Sequence, residues 1–354
     1  MISTDIISKD KNNNVKLSIA IPTHNGAKYI REALDSIICQ LNDIDEEIEI
    51  VISDNASTDQ TPEIIKEYQR KYTFIKYFLN EENLGADRNF DLAVRRSIGE
   101  YVWLFSDDDK MTPESIKKVL KVIDSHKDLA VIVVNYRIYD EILGKIIKER
   151  VVSEYNDILF ESSDDFWSKL DVLSALISVN IVRRSLWGRS NVECFYSTNW
   201  VHVGVIISIL PGHKSFFIST PLIILNSGPT EWEKDGNGLK YAMMLWDLFT
   251  TIDELGYHKL TRDKILKSFF NRLPATIKDA KSNGLVLSLK IIQDMYSRYA
   301  NHPSFWLVDL PLLLLPNQIY NSKVVRFVYK IAKKKYKRLR SKILLLFSIF
   351  LHDK

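Results

Sequence analysis

Three consecutive carboxylates, Asp107, Asp108 and Asp109, directly follow the apolar run Tyr101–Phe105. Carboxylates at this spacing repel one another unless a cation compensates their charge. Hard divalent metals prefer oxygen ligands and often bridge substrate phosphates as well. The triplet therefore predicts a cation site at the end of a strand, although an isolated acidic triplet is equally typical of a solvated turn before a helix.

A second polar segment, Ser53–Asp59, follows the apolar residues Ile50–Ile52. A buried strand would deliver Asp54 to the edge of a sheet, where its carboxylate can accept hydrogen bonds from a base or a ribose. The same segment is also typical of a turn and a helix cap, because Ser57, Thr58 and Asp59 all favour such positions. Taken alone, it indicates a turn more strongly than a binding site.

The elements that must position these residues alternate along residues 15–136. Short β-rich runs, separated by helical patterns of about 10–15 residues, are typical of βαβ units on a parallel sheet. Ligands of such α/β sheets bind beyond the carboxyl ends of the strands. The sequence places polar residues at these ends: Pro22–Asn25, Asp54, Asn55, Asn80 and Asp107–Asp109.

Four segments occur in one order within about 90 residues: Ile21–Asn25, Ser53–Asp59, Asn83–Asn89 and Asp107–Asp109. In this order they resemble the family 2 glycosyltransferases with the GT-A fold, over roughly residues 15–136. The Ser-Asp-Asp-Asp variant, together with residues 196–202, is most similar to the branch that contains abequosyltransferases and other O-antigen side-branch enzymes. The resemblance implies a Rossmann-like, mainly parallel α/β sheet with helices on both faces, followed by a helical C-terminal region.

The resemblance also implies an activity. It is the inverting, metal-dependent transfer of a sugar from a nucleotide-diphosphate donor to a hydroxyl of a lipid-linked or cell-surface glycan, such as an O-antigen or capsule. Asp107 and Asp109 would bind Mn²⁺ or Mg²⁺. The chain departs from the usual pattern at His24, Asn55 and Ser106, where the family has an aromatic residue and two acids. By position, the donor-binding residues are Pro22, Thr23, His24, Asn25, Asp54, Asn55, Ser57, Asn83, Gly85, Arg88, Asn89, Asp107 and Asp108.

The general base is the clearest departure from the family, which supplies an Asp well beyond the acidic motif. Residues 194–230 contain no Asp or Glu. A neutral imidazole is a competent base near pH 7, so His202 is the predicted base, with an ionisation near pH 6–7; a histidine hydrogen-bonded within the core is the equal alternative. The reserve candidates are Glu193 and Glu231, and the predicted acceptor-side aromatic residues are Trp200 and Trp232.

The C-terminal residues predict a separate partner. Residues 323–342 carry ten Lys and Arg and no acid, which leaves 38 basic and 45 acidic residues in the rest of the chain. Apolar residues recur at helical spacing through 323–351, as in a basic amphipathic helix on an anionic membrane surface. Docking of this helix on the catalytic domain is the alternative. The predicted organisation is a flexible N-terminus 1–14, a catalytic domain 15–225, a helical region 226–304 with an acceptor-side loop 226–238, and a membrane-associating tail 305–354.

Composition excludes several classes. With 46% hydrophobic and 26% charged residues the chain is globular, and Cys39 and Cys194 are too few for a disulfide framework and indicate a reducing compartment. No apolar run follows Met1, so no secretory signal is expected, and an acidic body argues against nucleic acid. The predicted location is cytoplasmic, at the inner face of the cell membrane, with a polyprenyl-diphosphate-linked or other glycan as acceptor. Two alternatives stay open: a sugar nucleotidyltransferase, which the missing Gly-rich basic loop disfavours, and a nucleotide-sugar-binding pseudoenzyme or scaffold, which the missing acid favours.

Overall fold

A computed structural model describes residues 15–44, 47–227 and 236–316 of the 354-residue chain. The described residues divide into two compact units. The sheet unit contains the described residues up to 227 together with 248–265, and the helical unit contains 236–247 and 266–316. The predicted flexible N-terminus 1–14, Glu231, Trp232 and the basic segment 323–351 lie outside the described residues.

One sheet of ten strands forms within the described part of the sheet unit, in the order β3-β2-β1-β4-β9-β6-β10-β5, with β7 beside β6 and β8 beside β10. The strands are β1 (Val15–Thr23), β2 (Glu47–Asp54), β3 (Ile75–Leu79), β4 (Tyr101–Leu104), β5 (Lys110–Met111), β6 (Leu129–Asp140), β7 (Lys145–Lys148), β8 (Ile158–Phe160), β9 (Asn180–Arg183) and β10 (Lys214–Asn226).

Strands β1 to β4 are parallel, and their register aligns the loops that carry the site. Thr23 pairs with Asp54, and Asp54 pairs with Leu79. The amide of Phe105, just before the acidic triplet, donates to the Ala20 carbonyl of β1. Their central residues, Ile19–Ile21, Ile50–Ile52 and Tyr101–Leu104, are apolar and buried because both faces of a parallel sheet are covered, whereas the edge strand β3 is mostly exposed after Ile75. Four polar loops therefore leave the sheet at one edge.

The GT-A fold class is confirmed, but the sheet is mixed rather than mainly parallel. β9 runs antiparallel between β4 and β6, while β6 and β10 are parallel to each other. The chain reaches β9 from residues 173–179, which already lie at the edge that carries the acidic triplet, since the Ser106 amide donates to Ser178 Oγ. A strand that begins at this edge must run antiparallel to β4.

Helices lie on both sides of the sheet, as predicted. Their starts follow local sequence signals; α2, for example, begins at Thr61-Pro62, where Asp59 accepts the Thr61 amide at 3.0 Å. The helices within the described residues are α1 (Ile30–Ile38), α2 (Thr61–Lys71), α3 (Ala86–Arg96), α4 (Ser115–Ser125), α5 (Ser163–Leu170), α6 (Arg184–Trp187), α7 (Val201–Ile209), α8 (Asn237–Thr250), α9 (Lys259–Ser282), α10 (Leu289–Tyr299), the π-helix Phe305–Asp309 and α11 (Leu310–Leu314).

The helical unit has its own core. Pro274 lies inside α9; burial of Leu273 and Ile277 on either side of it outweighs the local cost of the proline. Residues 305–316, predicted as the start of the tail, are helical up to Leu314 and contribute to this core. None of the described helices combines the length and hydropathy needed to cross a membrane. The core consists of Leu239, Met243, Trp246, Phe270, Leu273, Ile277, Ala280, Leu285, Met295, Tyr299, Phe305, Val308, Leu312 and Leu313.

Candidate active site

The first carboxylate of the acidic loop is fixed by the end of β1. Thr23 Oγ1 donates a hydrogen bond to Asp107 Oδ2, and both side chains are buried from solvent or nearly so. Gly26 stands beside this pair, and a side chain there would collide with both oxygens. The glycine therefore leaves the space in which Thr23 orients Asp107.

The third carboxylate is fixed by a residue that the sequence did not reveal. Ser178 Oγ donates to Asp109 Oδ2 at 2.6 Å and accepts the Ser106 amide at 2.9 Å. The Asn226 amide donates to Asp109 Oδ1 at 3.3 Å. Asp108 accepts from the Ser106 hydroxyl within the loop. Residues distant in sequence thus hold the acidic loop in one conformation.

The electrostatics of the loop favour a cation. Burial, and next the charge of Asp108, raise the pKa of Asp107 to about 7. Burial followed by the same neighbouring charge also raises the pKa of Asp109. Within the described residues, no three His, Cys, Asp or Glu side chains form a closed metal site. Oxygen ligands from one or two carboxylates are nevertheless what Mg²⁺ uses when substrate phosphates supply the rest, so the residues present fit a cation shared with a diphosphate.

Asp54, the predicted base-binding residue, lies fully buried at the end of β2. Its Oδ1 accepts the Ser57 amide at 2.9 Å, and its Oδ2 accepts the Tyr77 hydroxyl at 2.8 Å. Burial and this hydrogen bond raise the pKa of Tyr77. Each carboxylate oxygen keeps a second lone pair for a ligand. Tyr77 was missed because an aromatic residue within a predicted strand carries no signal of its own.

Two of the family departures, His24 and Asn55, belong to one hydrogen-bond network with Asn83 and Asn25. His24 Nδ1 lies 2.9 Å from the Asn55 carbonyl, which only accepts, so Nδ1 carries the hydrogen. His24 Nε2 then accepts from the side-chain amides of Asn25 and Asn83, each at 3.2 Å. Asn55 Nδ2 donates to Asn83 Oδ1 at 2.8 Å. The network connects the loops that follow β1, β2 and β3.

Three more of the predicted donor-binding residues, Gly85, Arg88 and Asn89, lie at the start of α3, but their surroundings differ. Gly85, at φ 81°, precedes the helix, a conformation that favours glycine. The exposed Arg88 guanidinium lies 4.6 Å from the centre of the Tyr196 ring. Asn89 is buried and bonds Ser53 instead, through the Ser53 hydroxyl at 2.7 Å and carbonyl at 2.9 Å. The structure thus brings Gly85 and Arg88 to the loops and points Asn89 into the sheet.

Two carboxylates of α3, those of Asp87 and Asp91, accept hydrogen bonds from the segment that follows residue 194 and contains no acidic residue. Asp87 accepts the backbone amides of Asn199 at 2.8 Å and Val201 at 3.0 Å, where α7 begins. Burial is the main influence on Asp87 and raises its pKa, although these amides act in the opposite direction. Asp91 accepts the Tyr196 hydroxyl at 2.6 Å. These contacts join residues more than 100 positions apart in the sequence, so no local sequence pattern predicts them.

His202 is 2% exposed, on α7 beside Trp200. Its Nε2 donates to the Ala175 carbonyl at 3.0 Å, which leaves the lone pair on Nδ1, for which the described residues provide no hydrogen-bond partner. Burial lowers its pKa to about 4, so the expected ionisation near pH 6–7 is wrong. Its role as base stays a prediction.

Glu193, the reserve base, is not brought to the donor loops. It is exposed in the short 3₁₀ turn Val192–Phe195, and its charge acts on Arg95. Arg95 lies nine residues after Ala86, roughly 14 Å along α3 from the end that carries Gly85 and Arg88.

The acidic loop and the polar loops at the carboxyl edge of this sheet define a glycosyltransferase domain of the GT-A type. The sequence model of Glycosyl transferase family 2 matches residues 18–187. The abequosyltransferase RfbV of Salmonella typhimurium is 31% identical over 265 residues, which cover 70% of this chain and 74% of that protein. The chain therefore belongs to glycosyl transferase family 2.

Solved structures share the fold. Residues 1–349 of TarS from Staphylococcus aureus, in complex with UDP-GlcNAc, superpose with a TM-score of 0.59 at 19% identity over 92% of both chains. A Pyrobaculum calidifontis mannosyltransferase, in complex with GDP-Man and Mn²⁺, superposes with a TM-score of 0.50 at 16% identity over 91% of this chain and 85% of that one. In sequence, TarS, a poly(ribitol-phosphate) beta-N-acetylglucosaminyltransferase, is 34% identical over 113 residues, which cover 32% of this chain and 19% of TarS.

Proposed function

We propose that this protein is an inverting, metal-dependent glycosyltransferase that moves a sugar from a nucleotide-diphosphate donor to a hydroxyl of a lipid-linked or cell-surface glycan. The observation that carries the proposal is the crowding of half-buried Asp107 and buried Asp109 beside the Asp54 and His24 loops. The activities of similar proteins support it: one is an abequosyltransferase, and the structural neighbours bind UDP-GlcNAc or GDP-Man with Mn²⁺.

Each residue has a defined task in this proposal. Asp107 and Asp109 would hold Mn²⁺ or Mg²⁺, which neutralises the charge that develops on a departing diphosphate. Thr23 and Ser178 keep the two carboxylates in place. Asp54, held by Tyr77, accepts from the nucleotide base. The exposed Arg88 guanidinium is suited to bind a phosphate oxygen.

The proposed base is His202, acting through Nδ1. This atom carries the lone pair, because Nε2 donates to Ala175. An inverting displacement needs such an acceptor within hydrogen-bond reach of the attacking hydroxyl. Since the ring is buried against Trp200 and Phe90, the acceptor reaches it only when this packing opens.

The acceptor and the location belong to the proposal as well. Ten basic residues within 323–342, without an acid, favour contact with the anionic inner face of the cell membrane, where a polyprenyl-diphosphate-linked glycan would be available. This part of the proposal rests on the sequence of the segment.

A screen of nucleotide sugars tests the enzymatic part. The full chain is incubated with UDP-, GDP-, CDP- and dTDP-linked sugars, with Mn²⁺ or with EDTA, and the melting temperature and the release of nucleotide diphosphate are recorded. We expect one donor group to raise the melting temperature only with the cation, because a ligand of the folded state stabilises it by mass action. Release of nucleotide diphosphate should then follow when a glycan acceptor is added.

The other outcomes identify the alternatives. Donor binding that is unchanged by EDTA would contradict the metal-dependent site. Metal-dependent binding without transfer to any acceptor would favour the pseudoenzyme or scaffold. Formation of a nucleotide sugar and pyrophosphate from a sugar phosphate and a nucleoside triphosphate would favour the nucleotidyltransferase.

A further inference from the structure

The helical segment 305–314, the π-helix followed by α11, is apolar on both of its sides. One side carries Phe305, Val308, Leu312 and Leu313 into the core of the helical unit. The only charged residue of the segment, Asp309, is also buried, and burial raises its pKa to about 7. The opposite side faces solvent and is equally apolar, which is typical of a helix that lies against a second apolar phase.

The exposed side forms a continuous stripe. Trp306 is 48%, Leu307 65% and Leu314 52% exposed, and Pro311 lies between the two leucines. Leu307, Pro311 and Leu314 follow the i, i+4, i+7 spacing of one helix face. Tyr296 of α10, 54% exposed, extends the stripe, since its ring packs edge-on against Trp306 at 5.8 Å. We call Tyr296, Trp306, Leu307, Pro311 and Leu314 the apolar stripe.

The stripe differs from the scattered apolar residues that every surface carries. Leu260, for example, is more exposed, but its neighbours in sequence are Lys259 and Thr261. Single residues of this kind need no explanation, whereas contiguous apolar surface marks a contact with a protein, a ligand or a membrane. The composition of the stripe favours the membrane: Trp and Tyr are enriched at the lipid headgroup level, and leucine side chains enter the acyl region.

The charge of the chain that follows selects the kind of membrane. The basic residues begin at Lys323, nine residues after Leu314, and at most ~3.6 Å per residue this places the first of them within about 32 Å of the stripe. Ten Lys and Arg without an acid attract anionic lipids, each adding to the affinity near the surface.

We propose that the apolar stripe is a docking surface that enters the headgroup region of an anionic lipid bilayer. This inference rests on the proposed membrane contact, which involves residues 323–351 alone, and it extends that contact. It assigns a second, apolar part of the contact to described residues. The basic segment supplies attraction that salt weakens, and the stripe supplies burial that salt does not weaken. Membrane binding therefore has two components that can be measured separately.

The experiment uses the full chain with vesicles of phosphatidylglycerol and phosphatidylethanolamine, and with vesicles of phosphatidylcholine, at low and high NaCl. The test variant is Leu307→Ser/Leu314→Ser, and the matched control is Leu260→Ser, which changes a still more exposed leucine outside the stripe. We expect the double variant to lower the partition coefficient on anionic vesicles on the order of tenfold or more, by a similar factor at low and at high salt. The control should bind as the wild type does.

Several results would overturn the proposal. Unchanged vesicle binding by the double variant at high salt would show that the stripe stays out of the bilayer. A wild-type dimer that the double variant converts to a monomer would show that a second copy covers the stripe. A melting temperature lowered by several degrees in the absence of vesicles would show that another segment of this chain covers it; the single variants Leu307→Ser and Leu314→Ser keep this test informative if the double variant folds poorly.

The readout is independent of sugar transfer. Donor turnover with a water-soluble acceptor is measured on the same samples. Lost vesicle binding with turnover intact supports the docking surface and leaves the enzyme proposal unaffected. Absent turnover with normal stripe-dependent binding would instead contradict the proposed enzyme and keep the docking surface.

Discussion

The proposed donor edge, formed by the loops after β1 to β4, and the proposed acceptor-side segment, residues 173–202, are built in different ways. At the donor edge the carboxylates lie at a strand end or within a few residues of one: Asp54 ends β2, and Asp107 follows β4. In the acceptor-side segment the conformation depends on partners elsewhere: Asp87 and Asp91 of α3 hold its amides and its tyrosine.

The difference suggests which variations each region tolerates. The donor edge needs particular residues at fixed strand ends, because the parallel register aligns these ends. The acceptor-side segment is held by carboxylates from α3. It can therefore keep its conformation without acidic residues of its own. Ser178 joins the two regions through two hydrogen bonds, one that it donates to Asp109 and one that it accepts from the Ser106 amide. The predictions below test whether the regions act separately and whether these contacts couple them.

The largest effect is expected at the donor edge. Asp109→Asn keeps the shape of the side chain and its ability to accept from Ser178, but removes the charge that would bind the cation. Loss of electrostatic stabilisation for a developing charge should lower sugar transfer on the order of 10³-fold. Transfer rates at saturating donor measure the effect.

The matched control is Asp124→Asn, an exposed carboxylate that pairs with Lys16 at 2.9 Å in the same unit. It should leave transfer unchanged. If Asp109→Asn retains most of its activity and still responds to EDTA, the cation is bound by other residues, and the donor edge is not the metal site.

The second effect concerns His202 in the acceptor-side segment. If Nδ1 takes the proton, His202→Gln should lower transfer roughly 10²-fold while donor binding is nearly unchanged. The activity of the wild type should show no ionisation of this residue near pH 6–7, since burial lowers its pKa to about 4. A variant with near wild-type transfer would place the base elsewhere.

The same pKa predicts the acid stability of the fold. The ordinary pKa of 6.5 is higher than the folded value, so the unfolded chain binds the proton more tightly. Stability from neutral His202 is complete above about pH 6.5 and is lost as the pH falls toward 4. The melting temperature of the wild type should therefore fall more steeply over this range than that of His202→Gln. Parallel curves for the two proteins would contradict the low pKa.

The sequence predicted the donor edge well because its information is local. Apolar strands end in polar residues, and a parallel sheet aligns these ends, so Thr23, Asp54 and Asp107 could be placed together in advance. Tyr77 and Ser178 could not, since their hydrogen bonds join residues 23 and 69 positions apart. The antiparallel β9 was missed for the same reason. The sequence of its four residues does not indicate in which direction the strand runs, and the contact between Ser178 and Ser106 fixes the edge at which the strand begins.

The third effect tests the contact between the two regions. Ser178→Ala removes the hydroxyl that orients Asp109 and should raise the Mn²⁺ concentration for half-maximal transfer about tenfold, within the range for residues that orient metal ligands. Ser174→Ala is the matched control, because Ser174 is buried in the same segment and its hydroxyl has no hydrogen-bond partner among the described residues. Equal metal requirements in the two variants would mean that Ser178 only stabilises the fold.

The smallest effect on catalysis is expected within the acceptor-side segment itself. Tyr196→Phe removes the hydroxyl that donates to Asp91 at 2.6 Å, but keeps the ring that faces the Arg88 guanidinium. Asp91 also accepts from Trp187 Nε1 at 2.8 Å and pairs with Arg95, so it stays partly satisfied. A lost hydrogen bond to a charged group costs about 1.5 kcal/mol, and the free energy of unfolding should fall by roughly that amount.

Donor affinity should stay within about twofold of the wild type, since the donor edge is positioned by the strands; Tyr155→Phe, at an exposed tyrosine, controls for the change of residue type. A large loss of donor affinity in Tyr196→Phe would show that the segment and the donor edge are one cooperative structure, because the only group removed lies outside the strand ends that carry the donor residues.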